Sequence, residues 1–485
     1  MADQPPAGVP ARAAPPAETE DPLAADRRTL VIGASSMVGL ILVGVVSAQL
    51  FARGGCDTIV TPEPAAPVAT AGAPEDVIDE QLGPVDGARA VDILEQAAGA
   101  PVVAAIPVGD ATRVAALGDG LVTTGGTVTS FDRSLTPIAT FSTGDPVVGD
   151  GDTVYDLALA SEVTGHIDAF VPLIGTDLDV GTCVDTALVG SPFAFLLDAG
   201  DGELLLLRAE EDGDAPDLQL WDPEEGARWD QRLTLTAGPP GTLAERLTAR
   251  LGPGTVVATR RVGPQEEVGG PALVAITRAD GTERFAIDGE VLAGFAELDP
   301  ADPIRWEVAA VGHDTVLVHG RPDPQDAPET GDGEGPADGS LVLLDLADGS
   351  PLTAIPGVGP VQEAAADLTD PAADDRYAIA VGRGEGRGAD TVFLTADGTS
   401  ISLGSLIDDA RFAWVDDAVV VAGRDSLSRL TPTTEIPTVA VLVGGRFADV
   451  TLTADGRVAA LVTARDGGDA VLLVTTPTDV GAADA

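Results

Sequence analysis

The chain has 485 residues and a formal net charge of −51, its 27 basic side chains are all arginine, and neither lysine nor asparagine occurs. That charge excludes nucleic acid and anionic lipid surfaces as partners, because both need a basic footprint that releases counterions. The missing lysine excludes a phosphate-loop nucleotide site, and an aromatic content of 4% discourages the exposed platforms that hold sugars.

In chain order, residues 1–28 are rich in Ala, Pro and acid and predict a disordered cytoplasmic tail. Residues 29–52 carry no charge and are long enough for one bilayer-spanning helix at about 20 residues. The rival reading is a cleaved signal peptide with Val46-Ser47-Ala48 as its small-x-small site. The tail ahead of the span is long, Pro-rich and partly acidic for the start of such a peptide, so an uncleaved anchor is the expectation. A lipoprotein processed at Cys56 fits less well, since Arg53 stands where an apolar residue is needed. Arg27 and Arg28 precede the span and only Arg53 follows it, which orients the N-terminus to the cytoplasm and the rest outside. The tail's five acids and three arginines leave −49 of the −51 to residues 53–485, so the outward domain is intensely acidic. Such an excess reads first as a solvated surface and second as an attraction for cations or basic partners.

Residues 53–87 read as a Pro/Ala-rich stem that lifts the folded domain, 88–485, off the membrane. Ala88–Ala98 predicts a short amphipathic helix with Val91, Leu94 and Ala98 on its buried face. From Val102 onward short β-branched runs alternate with Gly, Asp and Pro clusters, the signature of strands and turns.

Four hairpins are clear: Leu273–Phe285, Leu341–Thr353, Thr391–Leu403 and Val450–Val462, with Asp-Gly turns at 280, 348, 397 and 455 and steps of 68, 49 and 58 residues. Val128–Phe141, Leu218–Leu233 and Leu427–Val441 are degenerate copies. The pattern predicts an all-β chain, a β-propeller of six to eight blades with seven as the best count, preceded by one transmembrane helix. A pair of β-sandwiches is the alternative. Two insertions break the rhythm. Thr242–Leu251, with a capping box in Thr242 and Glu245 and Leu243, Leu247 and Leu251 on one face, predicts a helix ended by Gly252. The acidic Arg321–Gly339 segment predicts a surface loop.

Leu220-Trp221-Asp222 followed by Gly226 and Trp229, and Leu344-Asp345 followed by Gly349, resemble the blade phrase of the quinoprotein-like (PQQ-like) propeller superfamily. In that phrase an apolar pair and an Asp are followed by a Gly and a nearby Trp. The resemblance covers residues 100–485 as architecture, and the Trp is absent from the second phrase, where Pro351–Ala354 stand. Inter-blade tryptophan docking is therefore not expected throughout. The superfamily holds both enzymes and non-catalytic scaffolds. A quinone dehydrogenase of this kind would imply bound quinone with calcium and a vicinal disulfide, whereas the two cysteines here are not adjacent.

For a calcium site the best-placed cluster is Asp145, Asp150, Asp152 and Asp156, followed by Asp212, Asp214 and Asp217. Neither follows EF-hand spacing, and turn-forming aspartates explain both equally well. Cys56 and Cys183, both outside the cytoplasm in this topology, are candidates for one disulfide. Closing so long a loop would constrain the unfolded chain by about 4 to 5 kcal/mol. Of three histidines, His166, His313 and His319, the last two flank a short strand and lack the third ligand of a zinc site. No nucleophile elbow accompanies any serine. The sequence thus points to a cell-membrane protein whose extracytoplasmic propeller acts as a non-enzymatic scaffold for another envelope or membrane protein, with no confident cofactor. An anchored propeller enzyme, a quinone- or calcium-dependent oxidoreductase or a hydrolase, is the alternative.

Overall fold

The computed structural model describes residues 63–64, 72–117, 120–125, 128–141, 147–148, 153–156, 171–177, 182–189, 193–200, 203–209, 217–222, 226–233, 247–262, 271–300, 304–322, 339–368, 372–382, 389–397, 400–402, 410–415, 417–423, 425–431 and 440–478. All belong to one unit, Gly55–Ala485. The tail and the span predicted over 29–52 lie outside the described residues, among which no helix is long and apolar enough to cross a membrane.

Strand-forming runs punctuated by Asp-Gly and Gly-rich turns fold into successive four-stranded antiparallel meanders. The first holds Arg113–Leu117, Gly120–Thr124, Val128–Phe131 and Pro137–Phe141, with Glu63–Pro64 added at its edge. The second holds Val147–Val148, Thr153–Asp156, Val171–Asp177 and Thr182–Val189. The third is Phe193–Gly200, Glu203–Ala209, Asp217–Asp222 and Gly226–Arg232. The fourth, Leu247–Leu251, Thr255–Val262, Pro271–Thr277 and Glu283–Asp288, joins the fifth, Ile304–Val311, Thr315–Pro322, Gly339–Asp345 and Pro351–Val358, where Arg261 pairs Arg305 and Val262 pairs Ile304. The sixth runs through Val361–Ala366, Arg376–Gly382, Ala389–Thr395 and Ser400–Ser402, and the seventh through Arg411–Val415, Ala418–Gly423, Ser426–Leu430 and Ala440–Val441. In the last sheet Gly445–Leu452, Val458–Ala464 and Ala470–Thr475 take their fourth strand from the other end of the chain, Val102–Pro107.

This arrangement is a β-propeller, and the packing shows why. First strands of neighbouring sheets lie against one another from the third sheet round to the first, the eighth-sheet strand Gly445–Leu452 touching Arg113–Leu117. Separate apolar cores fill the gaps between sheets three and four, four and five, five and six, six and seven, seven and eight, and eight and one. Strand burial on both faces explains runs such as Ala418–Gly423, buried at every residue.

Helix α1, Pro74–Leu82, and helix α2, Gly87–Ala98, cover the seven–eight core through Ile78, Leu82, Ile93, Leu94 and Ala97. The helix predicted over Ala88–Ala98 is thus present, but α1 falls inside the segment read as stem. Its Pro74 sits in the first turn, where a proline costs no backbone hydrogen bond. A third helix, α3, Gly289–Phe295, follows the fourth sheet.

All four clear Asp-Gly phrases are hairpins, but not at one position. Those at 280, 348 and 397 join the third and fourth strands of their sheets, whereas the one at 455 joins the first and second strands of the last sheet. The helix predicted over Thr242–Leu251 is a strand where it is described. Leu247–Leu251 pairs with Val256–Arg260, Leu247 and Ala249 facing the core, and the chain turns back at Gly252–Gly254.

Candidate functional site

The glycines of two Asp-Gly turns do more than turn. Gly281 and Gly349 have φ of +72° and +77°, a region that suits glycine. A Cβ on Gly281 would stand 2.8 Å from the Trp229 ring of the preceding sheet, and one on Gly349 would stand 2.6 Å from Phe285. Trp229 also donates from Nε1 to the Arg278 carbonyl at 2.7 Å. The fourth strand of one sheet therefore docks an aromatic ring under the turn of the next, and phenylalanine serves where the sequence has no tryptophan. Trp221, in the same phrase as Trp229, is only half-buried.

Charged side chains from the first strands gather at the centre of the ring. Glu363 of the sixth sheet accepts from Arg411 of the seventh at 3.3 Å. Burial pushes its carboxyl above the usual range, against the pull of Arg411, Arg113 and Arg250 and with the help of Asp449. Burial likewise raises Asp449, which accepts from its own neighbour Val450 N at 3.0 Å and, across the closing joint, from Val114 N at 2.9 Å. Asp198 of the third sheet accepts from Leu251 N at 2.8 Å and lies 3.7 Å from Arg250. Chemically the cluster offers guanidinium donors and, in Glu363 and Asp449, carboxyls that hold protons more readily than free ones.

Beside it, the first strands of sheets four, five and six line a cavity of about 140 Å³. Arg250, Glu307, Gln362, Glu363 and His319 supply its polar wall, and Val308, Ala309, Val361 and Ala364 its apolar one. His319 is fully buried, and neither ring nitrogen completes a hydrogen bond among the described residues. Burial, aided by the Arg321 charge, depresses its pKa to about 4; the nearby backbone of Val358 and Gly359 opposes this only in part.

On the surface, the sixth, seventh and eighth sheets form an apolar cleft of about 330 Å³ lined by Leu368, Phe412, Ala413, Trp414 and Leu452. Leu368 is 46% exposed. Trp414 forms the floor, fixed by Nε1 donation to the Ala365 carbonyl at 3.3 Å, by the edge of Phe393 at 5.3 Å and by Arg376 stacked 5.3 Å above its ring.

Of the residues singled out in the sequence, Asp145, Asp150, Asp152 and Cys56 lie outside the described residues. Asp156 ends the strand Thr153–Asp156, paired with Ile174, and Cys183 pairs with Thr176. Asp217 opens its strand opposite Arg232, while Asp212 and Asp214 are outside. His313 and His319 do not form a pair: His313 sits in the turn ahead of the strand that carries His319. Among the described residues no three His, Cys, Asp or Glu are grouped to hold a metal ion. Sequence reading missed the axial charges and the cleft, whose signal is charged or aromatic residues inside first strands.

Neither a protein-family model nor a curated protein sequence matches the chain. Among solved structures it is similar to the Dos1 propeller, at 10% identity over 76% of this chain and 93% of that one, with a TM-score of 0.45. It is also similar to the quinohemoprotein alcohol dehydrogenase ADHIIG from Pseudomonas putida HK5, at 9% identity over 79% and 76%, with a TM-score of 0.44. The β-propeller domain of the Trilobed protease from Pyrococcus furiosus follows at 12% identity over 68% and 94%, with a TM-score of 0.37. Likeness at this level assigns no function.

Proposed function

We propose that the chain is a single-pass membrane protein whose extracytoplasmic, eight-bladed propeller of the quinoprotein-like kind acts as a protein-binding scaffold in the cell envelope. The count of eight rests on the meanders described above, one more than the seven hairpins read in the sequence, because the second sheet lacks the phrase. The aromatic-under-glycine docks at Gly281 and Gly349 support the quinoprotein-like reading. Anchoring and orientation rest on residues 29–52 and their flanking arginines.

The observation that carries the scaffold reading is the apolar cleft. Leu368 and the Phe412 edge stay accessible on a chain with net charge −51, where a solvent-facing surface has every reason to be polar. A partner that fits would insert an apolar side chain into the cleft and carry basic residues around it. In the native host, a photo-crosslinker at Thr451 should capture a discrete envelope protein, and Leu368→Asp should abolish the adduct while leaving the protein folded and membrane-bound. An adduct unchanged by Leu368→Asp would refute the cleft as the docking site. Recovery of the full chain in the soluble fraction would refute the anchor.

A second reading, an anchored enzyme working at the propeller axis, draws on the raised carboxyls of Glu363 and Asp449, which suit proton transfer. Native mass spectrometry of the purified protein with and without chelator separates the two, since a stoichiometric quinone or calcium would favour the enzyme.

A further inference from the structure

The cavity beside the axis has a more specific chemistry than its size suggests. A neutral imidazole offers one N–H and one lone pair, and His319 uses neither within the described residues although no part of it reaches solvent. Buried polar groups are rarely left so, and each one calls for a partner.

The groups around it indicate which partner. Glu307 is engaged by Arg305 at 2.6 Å and lies 3.8 Å from Arg321, and Glu363 is engaged by Arg411. Arg305, Arg321 and Arg411, which lie outside the lining, thus offset both glutamates, and Arg250 is the one cation in the lining. Arg250 has five N–H donors and, among the described residues, a single ion pair, the 3.7 Å one with Asp198. The remaining wall is Gln362 and the aliphatic Val308, Ala309, Val361 and Ala364. At about 140 Å³ the space matches the roughly 150 Å³ that accommodates a benzene-sized molecule.

We propose that this cavity is a binding site for a small monocarboxylate, whose carboxylate lies between the Arg250 guanidinium and the His319 imidazole and whose short carbon chain packs on the four aliphatic side chains. Arg250 supplies the charge-assisted hydrogen bonds, and His319 supplies a ring N–H that completes no hydrogen bond among the described residues. The site is independent of the surface cleft, so it stands or falls separately from the scaffold reading.

The test uses the full-length protein labelled with ¹⁵N-histidine, in which only three histidines contribute signals. The His319 resonances are identified by their loss in His319→Gln. Acetate, lactate and butyrate are titrated against sodium chloride at matched ionic strength, following the His319 shifts and the thermal midpoint. Saturable His319 shifts and a raised midpoint are expected with at least one carboxylate. Arg250→Gln, a change at a half-exposed side chain that the fold tolerates, should weaken that response by about tenfold or more, a loss of about 1.4 kcal/mol. Shifts no larger than those with chloride would mean that His319 is satisfied by trapped water, and the proposal fails. Equal responses in the parent and Arg250→Gln would place the carboxylate elsewhere and overturn it as well.

Discussion

On the side of the fifth sheet that faces the fourth, Ile304, Trp306, Val308, Val316, Val318, Val342 and Leu344 meet Val257, Leu273, Ala275 and Ile287 in an apolar joint. On the side that faces the sixth, Leu317, Leu341, Leu343 and Ile379 share the joint with buried polar groups: Asp375, Tyr377, Thr315 and His319. There the Asp375 carboxylate accepts from the backbone N–H groups of His313, Asp314 and Thr315 at 2.8, 2.9 and 2.7 Å and from the Thr315 hydroxyl at 2.8 Å. One sheet is thus held by two kinds of force. The apolar joint is held mainly by buried surface, with the Val262–Ile304 pairing and the Thr259 Oγ1 donation to the Trp306 carbonyl at 3.1 Å marking its register. The polar joint fixes position, because a carboxylate that caps one turn of the neighbouring sheet cannot cap another without leaving buried N–H groups unpaired.

Trp306 offers the largest test of the contrast. It is 1% exposed and its ring lies so close to Gly320 that a Cβ there would stand 2.2 Å away. Trp306→Ala should cost about 3 to 5 kcal/mol in denaturant unfolding, equally at neutral and mildly acidic pH. Its Nε1 has no hydrogen-bond partner among the described residues, so Trp306→Phe should recover most of that loss.

Asp375→Ala attacks the other joint by leaving three backbone donors without their acceptor, at a cost of about 3 kcal/mol. A loss below about 1 kcal/mol would mean that water replaces the carboxylate and that the polar joint does not specify position.

The two joints should also differ in pH response. With a folded pKa of about 4 against 6.5, native His319 binds fewer protons than the unfolded chain. Its contribution is therefore fully present above pH 6.5 and is lost as the pH falls towards about 4. The loss amounts to about 3 kcal/mol. The raised carboxyls of Glu363 and Asp449 act in the opposite sense, so the informative quantity is the stability of the parent minus that of His319→Gln at each pH. That difference should shrink from pH 7 to pH 4, and a flat difference would remove His319 as the titrating group.

How much of this was legible in the sequence follows the range of the interactions. The Asp-Gly hairpins were readable because turn chemistry is local: Asp280 accepts from Thr282 N and Oγ1, and Asp348 from Ser350 N. These bonds also hold both carboxyls below the usual range. The place of the fourth hairpin was not readable, since it depends on Val102–Pro107 closing the last sheet from the far end of the chain. The helix expected at 242–251 failed for a definite reason. Leu247 and Leu251 are four apart, a spacing that puts residues on one face of a helix and equally on one face of a strand, and the Gly252–Gly254 turn decided for pairing. The axial cluster was invisible because its members come from different sheets: Glu363 and Arg411 are 48 residues apart, and Val114 and Asp449 meet only by ring closure.

The finest probe of the polar joint is Tyr377→Phe. The Tyr377 hydroxyl donates to the Thr315 carbonyl at 2.8 Å and lies 2.7 Å from the Thr315 hydroxyl, and burial raises its pKa, so it stays a donor. Removing it leaves that carbonyl the Gly312 N–H at 2.9 Å and the Thr315 hydroxyl its bond to Asp375, so no group is wholly orphaned. The cost should therefore be about 1 kcal/mol. The double change with Asp375→Ala should cost more than the sum of the two single changes, because the Thr315 hydroxyl then loses both of its side-chain partners. Strict additivity would mean that carboxylate and phenol hold the turn independently, and that the joint is a set of separate bonds rather than one network.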